Sequence, residues 1–259
     1  MVRHEAVADS FRTFVVRALG DEGRRWLAQL PQVLDELTER WELTLGEHLP
    51  GGRLSCVRAA TLADGRSAVL KIGSGRHTQD EITCLRAWAG RSTPELLAAD
   101  EDRRAMLLER IEPGDQPDPA LAEDVAVVLG GLGAPAPDGV PSLERVVERR
   151  IEISLRDGRA SPQKAAWARQ TAARLAADAP EPMLVHGDFD DRNLLVCARR
   201  GLCAIDPLPC AGDPAYDAGY WVHANRRPGR RARLDAIVAA TGLDRKRVRD
   251  WAAVVGVHG

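Results

Sequence analysis

The stretch LVHGDFDDRNLLV, Leu184 to Val196, decides the fold of this chain. Two apolar runs flank a segment that carries carboxylates, an amide and one histidine. The run that leads into His186 is typical of a short buried strand ending at that residue, and Leu194-Leu195-Val196 begins another. Because a loop between packed strands is held at both ends, we interpret Asp188 and Asn193 as candidate functional residues.

A hairpin follows this loop and adds a third oxygen-bearing side chain. Residues 194–197 and 202–206 flank the turn 198–201. The second strand of this hairpin runs back toward the start of the first, so Asp206 should lie near Asn193. Two carboxylates and an amide form a set of hard oxygen ligands that suits Mg²⁺ and phosphate rather than zinc. The order Asp-x4-Asn, hairpin, Asp is that of phosphoryl-transfer enzymes with the kinase fold.

The preceding part of the chain predicts several strands. Residues 54–61 and 67–72 are separated by Ala63-Asp64-Gly65-Arg66, and Asp-Gly between apolar runs is a strong hairpin signal. Lys71, one of three lysines in the chain, lies inside the second run. A further strand is predicted over 105–111.

Helical patterns surround these strands. Residues 24–41 carry an apolar helical face that Pro31 is expected to kink or split, and a helix is predicted over 78–89. After the Pro-, Gly- and Asp-rich segment 112–120, helices are predicted at about 120–132, 142–156 and 162–178, and again in the C-terminal tail.

The order of these elements predicts an α+β, bilobal fold. A small, β-rich N-terminal nucleotide-binding lobe would occupy residues 1–111, and a larger, mostly helical lobe for catalysis and acceptor binding would occupy residues 112–259. Ligands often bind at the cleft between two such domains, so we expect the site there.

Composition narrows the class of protein. The 259 residues can bury a sizeable core, and a net charge of −2 gives no reason to expect nucleic acid or an anionic membrane as partner. No apolar run is long enough to cross a bilayer, and the start is not a signal peptide, so a cytoplasmic location is expected. Five cysteines without a CxxC pair argue against a disulfide framework or a zinc site. No feature indicates an oligomeric state.

HGDFDDRN (186–193) resembles the H-G-D-x4-N motif of aminoglycoside phosphotransferases and related small-molecule kinases, and IDPLPCAGDPAYD (205–217) resembles the segment around their metal-binding Asp. The resemblance covers roughly residues 24–225. Four upstream stretches resemble the streptomycin 6-kinase and hydroxyurea kinase branch: WEL (41–43), LPGG (49–52), VLKI (69–72) and LLER (107–110) with Pro113-Gly114.

The resemblance implies a kinase-like fold, ATP as phosphoryl donor and Mg²⁺ as cofactor. Asp188 would be the catalytic base, and Asn193 and Asp206 the metal ligands. Lys71 would hold the α- and β-phosphates, and Glu81 would pair with it. The other nucleotide contacts implied are Gly51, Gly52 and Ser55 over the phosphates, and backbone groups around Glu109 and Ile111 at adenine.

Departures from protein kinases indicate the kind of acceptor. Asp206 is followed by Pro207-Leu208 rather than Phe-Gly, and no A-P-E element follows, so we expect a small-molecule acceptor. Asp190 and Asp191 crowd beside Asp188, which suits a cationic acceptor such as an aminoglycoside, streptomycin first. Hydroxyurea or another small hydroxylated molecule is the second candidate.

Each assignment has a structural alternative. Lys71 could be an edge-strand lysine, and Glu81 could close a capping box with Thr78. Gly51-Gly52 could form a plain turn, and Asp190 and Asp191 could face water and balance Arg192. At the level of the whole protein, the alternative is a pseudokinase that binds nucleotide without turnover.

Overall fold

The computed structural model describes residues 9–49, 54–75, 77–179, 181–225 and 227–258. The chain forms two compact units. The first is the described part of Met1–Ile82 together with Glu95–Arg110, and the second is Thr83–Pro94 with the described part of Ile111–Gly259. The first unit contains a large sheet and the second is mostly helical, which confirms the predicted α+β class. The functional roles given to residues 1–111 and 112–259 stay a prediction.

The first unit holds a five-stranded antiparallel sheet of order β1-β2-β3-β5-β4. Its strands are Thr44–His48 (β1), Ser55–Thr61 (β2), Ser67–Gly73 (β3), Leu96–Asp100 (β4) and Ala105–Glu109 (β5). The hairpin predicted around Asp64-Gly65 is confirmed, because β2 pairs with β3 from Ser55 opposite Gly73 to Thr61 opposite Ser67. β3 lies at the centre of this sheet, with a partner strand on each side.

Helix α1 (Asp9–Arg40) supplies the apolar cover of this unit. Its buried leucines cluster with Leu70 and Leu107 of the sheet. The helix continues through Pro31, so the prediction that it splits there is wrong; the residue with non-helical backbone angles is Gly20, with φ 58° and ψ −129°. Leu30 and Leu34, on either side of the proline, are both buried, and their packing outweighs the hydrogen bond that proline cannot donate.

Helix α2 (His77–Trp88) begins in the first unit and ends in the second, which holds the remaining helices. Side chains of Ser142 and Ser161 cap two of them by accepting backbone N–H groups. None of the described helices is long and apolar enough to cross a membrane. The remaining helices are α3 (Ala122–Gly131), α4 (Leu143–Arg156), α5 (Pro162–Ala177), α6 (Ala215–Ala224), α7 (Arg230–Thr241) and α8 (Arg245–His258).

Two pairs of short strands lie among these helices and position the candidate site. β6 (Met183–Val185) pairs antiparallel with β9 (Cys210–Gly212). β7 (Leu194–Cys197) pairs with β8 (Gly201–Ala204), which confirms the hairpin predicted from residues 194 to 206. The loop between β6 and β7 therefore starts and ends on paired strands.

Candidate active site

The loop after β6 and the segment after β8 are bound to each other. Leu194 pairs with Ala204, and the Ile205 N–H donates to the carbonyl of Asn193 over 2.9 Å. Asn193 and Asp206 therefore lie at the same end of the hairpin, as the sequence predicts. The Leu208 N–H donates to the carbonyl of His186, also over 2.9 Å, which ties the start of the loop to the same segment.

The His186 ring is a brace inside this loop. It is fully buried, and its Nε2 lies 2.9 Å from the carbonyl oxygen of Ile205. Its Nδ1 accepts the N–H of Asp188 over 3.3 Å, so the proton belongs on Nε2. Burial lowers the pKa of His186, although nearby carboxylates act to raise it, and the ring is therefore neutral. A neutral ring that bonds at both nitrogens orients Asp188.

Asp217, at the start of α6, holds the backbone of the same turn. Its two carboxylate oxygens accept the N–H groups of His186 over 2.6 Å and Gly187 over 2.9 Å. Burial raises the pKa of Asp217 to about 7, although the two backbone donors favour the ionised form. The turn before Asp188 is thus fixed from α6 as well as from the hairpin.

Gly187 is required by the path of the backbone. Its φ is +79°, and a Cβ placed there would lie 2.0 Å from the carbonyl oxygen of Leu208. Only glycine fits both the left-handed conformation and the close approach.

We expect Gly187→Ala to destabilise the protein and displace Asp188. Gly158→Ala is the matched control: Gly158 also has a positive φ, of +68°, but a Cβ added there would have no atom within 4 Å. The control should cost about 1 kcal/mol, and Gly187→Ala clearly more, because a backbone clash adds to the strain. Urea unfolding of both variants measures the difference; equal costs would contradict the constraint.

The Asp188 carboxylate accepts three side-chain hydrogen bonds. Its Oδ1 receives Arg150 over 3.0 Å and the Tyr220 hydroxyl over 2.5 Å, and its Oδ2 receives the Asn193 amide over 3.1 Å. Burial alone would raise the pKa of Asp188, but the charge of Arg150 and the bond from Tyr220 outweigh it, so the pKa lies below its usual value. The group is therefore ionised at neutral pH and able to accept a proton.

The Asn193 side chain is oriented by the same contact. Its amide nitrogen donates to the Asp188 backbone carbonyl over 2.7 Å and to the Asp188 carboxylate. This assignment leaves the amide oxygen as the atom that could bind a cation. Asp206 lies at the same end of the hairpin, and an amide oxygen and a carboxylate are the kinds of ligand that fit Mg²⁺, an ion that keeps waters and substrate phosphates as its other ligands.

Asp190 and Asp191 are held by internal contacts. Asp190 is 1% exposed and accepts both the backbone N–H and the guanidinium of Arg192. Asp191 accepts the indole N–H of Trp221 over 2.8 Å, and burial raises its pKa. The alternative that Asp190 balances the charge of Arg192 is therefore correct, but its further expectation, that Asp190 faces water, is wrong. The acceptor-binding role of both residues stays a prediction.

Lys71 and Glu81 form a buried ion pair in the first unit. Their Nζ and Oε1 atoms are 2.7 Å apart, and the side chains are only 8% and 4% exposed. Lys71 lies on central strand β3, which excludes the edge-strand alternative. The Thr78 hydroxyl has no hydrogen-bond partner among the described residues, which disfavours the capping box. The predicted pairing is therefore present, while its role in phosphate binding stays a prediction.

The other predicted nucleotide contacts lie in different parts of the chain. Gly51 and Gly52 lie outside the described residues. Ser55 is buried at the start of β2. The backbone N–H of Glu109 already donates to the carbonyl of Glu95, so an adenine contact there would use other backbone groups. Ile111, the first residue of the second unit after β5, is buried against Cys197 and Cys203.

Two residues that contact Asp188, Arg150 and Tyr220, lie outside the sequence motif and were not predicted from the sequence. Arg150 lies on α4, 38 residues before Asp188, and Tyr220 lies on α6, 32 residues after it. The only signal in the sequence is a basic residue within a predicted helix, which is usually a solvated side chain. Side-chain exposure of 15% for Arg150 shows that this one is not.

Comparisons with known proteins agree with the motif. The family model for aminoglycoside/hydroxyurea antibiotic resistance kinase matches residues 40–259. The chain is 35% identical over 255 residues to streptomycin 6-kinase of Streptomyces glaucescens, with 91% of this chain and 83% of that one covered. It is 33% identical over 246 residues to hydroxyurea phosphotransferase of Kitasatospora aureofaciens, with 90% and 72% covered.

A solved structure matches the fold. The ADP-bound aminoglycoside phosphotransferase APH(2″)-Ib aligns with a TM-score of 0.58, covering 86% of this chain and 85% of that one. The sequence identity is 16%, so this likeness concerns the fold alone. It confirms the protein-kinase-like fold that the resemblance implied.

Proposed function

The chain belongs to the aminoglycoside/hydroxyurea antibiotic resistance kinase family, and from that premise we propose that it transfers the γ-phosphoryl group of ATP to a hydroxyl group of an aminoglycoside, streptomycin first. The observation that carries this proposal is the Asp188–Asn193 contact on a loop bonded to the segment of Asp206. This contact supports the proposal, because a carboxylate, an amide and a second carboxylate in this order are what phosphoryl transfer in the kinase fold uses.

In this reaction the acceptor hydroxyl oxygen attacks the γ-phosphorus, and the bond from that phosphorus to the β–γ bridging oxygen breaks. Asp188 orients the hydroxyl and receives its proton, and ADP leaves. Lys71, held by Glu81, binds the α- and β-phosphates. Positioning and charge neutralisation carry most of the rate enhancement in such transfers.

Asn193 and Asp206 would hold Mg²⁺, which neutralises negative charge on the phosphates when it is bound. We expect Asp206→Asn to weaken the binding of ATP in the presence of Mg²⁺ and to leave binding without the metal nearly unchanged. Isothermal titration calorimetry with MgATP, and with ATP plus EDTA, measures ATP binding with the metal and without it. An unchanged Mg²⁺ dependence would remove Asp206 from the metal site.

Two family members suggest different acceptors. The streptomycin 6-kinase of S. glaucescens supports an aminoglycoside, and the hydroxyurea phosphotransferase of K. aureofaciens supports hydroxyurea as the second candidate. Arg150 and Arg192 already pair with Asp188 and Asp190, so the proposal of a cationic acceptor rests chiefly on the streptomycin 6-kinase relative. Streptomycin carries positive charge and hydroxyurea does not, so salt dependence also distinguishes the two.

The test is a transfer assay with the purified full chain, ATP and Mg²⁺. Streptomycin, other aminoglycosides and hydroxyurea are supplied separately, and mass spectrometry detects the mass of one added phosphoryl group. Product with streptomycin, at a KM that rises with ionic strength, is the expected result. Product with hydroxyurea alone would assign the second acceptor, and ATP binding without any product would favour the pseudokinase.

A further inference from the structure

The hydrogen bonds on Asp188 are distributed unequally over its two oxygens. Oδ1 receives two donors, from Arg150 and Tyr220, and Oδ2 receives one, from Asn193. A carboxylate offers about four lone-pair directions, two on each oxygen. One direction on Oδ2 is therefore left after these three bonds, and the Asp188 side chain keeps 34% of its surface exposed.

Arg150 and Tyr220 reach Oδ1 from two helices that are separate from the catalytic loop. The Arg150 guanidinium also lies 5.1 Å from the centre of the Tyr220 ring, within range of a cation–π interaction. Both side chains are mostly buried, so each restricts the other before either meets Asp188. This arrangement fixes one carboxylate oxygen more firmly than bonds from a loop could.

We propose that Arg150 and Tyr220 are positioning residues that hold Oδ1 of Asp188, so that Oδ2 is the oxygen that meets the acceptor hydroxyl. This inference rests on the proposed function. Oδ2 takes the hydroxyl proton while the acceptor oxygen bonds to the γ-phosphorus and the phosphorus–oxygen bond to ADP breaks. Arg150 and Tyr220 stay bound to Oδ1 throughout and touch neither substrate.

The positioning role predicts a loss of kcat without a loss of nucleotide binding. Arg150→Met should lower kcat about 10²-fold, since a misplaced reactive group costs rates of that order. Tyr220→Phe, which removes one hydrogen bond to a charged group, should lower it roughly tenfold. Arg150→Lys should recover part of the loss, because a lysine can still donate to Oδ1. The ATP dissociation constant should change less than about twofold in each case.

Arg149→Met is the matched control. Arg149 is the neighbouring residue of α4, and its side chain is exposed where that of Arg150 is mostly buried. The kcat and thermal midpoint of this variant should equal those of the wild type. If Arg150→Met lowers the midpoint and ATP affinity together with kcat, and lysine restores none of them, Arg150 is only structural and the inference fails.

Crystal structures of Arg150→Met and the wild type give a readout that does not require turnover. The Asp188 carboxylate of the variant should rotate and lose its contact with Asn193, which spans 3.1 Å in the wild type. An unmoved carboxylate overturns the inference even if the enzyme is active. Absence of wild-type turnover with every acceptor would contradict the proposed function, and the crystal structures would still decide the positioning role.

Discussion

Asp188→Asn will lower kcat by about 10²- to 10⁴-fold, the range that a positioned general base contributes. Its acceptor KM and its ATP dissociation constant should stay close to the wild-type values. The reason is geometric: the Asp188 side chain bonds to Arg150, Tyr220 and Asn193, and it meets the nucleotide only through the reacting hydroxyl in the proposed mechanism.

Asparagine is the sharper substitution here because it keeps the size of the side chain. Both substitutions remove the charge that Arg150 pairs with, but the amide oxygen of asparagine can still accept from Arg150 and Tyr220, whereas alanine would leave both donors without an acceptor and add a larger stability loss. Asp138→Asn, at an exposed position, controls for the loss of one negative charge. Steady-state kinetics with streptomycin gives kcat and the acceptor KM, and an ATP titration gives the dissociation constant, so the effect on turnover is separated from the effects on binding. A kcat within about tenfold of wild type would remove Asp188 from the role of base.

The parts of the fold with strong local signals could be predicted. The hairpins around Asp64-Gly65 and over residues 194–206 have apolar runs of the right length around short turns, and both are present. β1 and β4 gave no such signal. β1 is almost wholly exposed, and β4 is half-buried without alternation, so neither shows the period-2 pattern of a packed strand.

The same difference between local and long-range signals applies to the residues of the candidate site. Asp188, Asn193 and Asp206 lie within one short stretch, and strand pairing brings them together by local geometry. Arg150 and Tyr220 come from helices far along the chain, and only the packing of α4 and α6 brings them to Asp188. A single sequence contains no signal for such long-range contacts, which is why it reveals the motif and not the side chains that support it.

Lys71→Met should be the other variant with a large effect, on both activity and stability. Removing the lysine leaves the charge of Glu81 buried, at 4% side-chain exposure, without the cation 2.7 Å away. Breaking a buried pair in this way costs about 3–5 kcal/mol. Loss of a charged donor to the phosphates should also lower kcat/KM for ATP by about 10²- to 10³-fold. The single variant therefore mixes two causes.

The double variant Lys71→Met with Glu81→Gln separates the loss of stability from the loss of phosphate binding. Both charges are then gone, so most of the lost stability should return, since replacing a whole buried pair is often neutral. The activity should not return, because no ammonium remains for the phosphates. Urea unfolding and ATP kinetics on the wild type, the two single variants and the double variant form a complete cycle.

Lys246→Met provides the control for removing a lysine from an ion pair. Lys246 pairs with Asp250 over 3.0 Å, but its side chain is 63% exposed, and an exposed pair contributes about 0–1 kcal/mol. This variant should match the wild type in stability and kinetics. If the double variant regained ATP turnover along with stability, the ion pair would be a structural feature of the first unit and the phosphates would be bound by other groups. If turnover stays low at full stability, the lysine charge itself is what ATP requires.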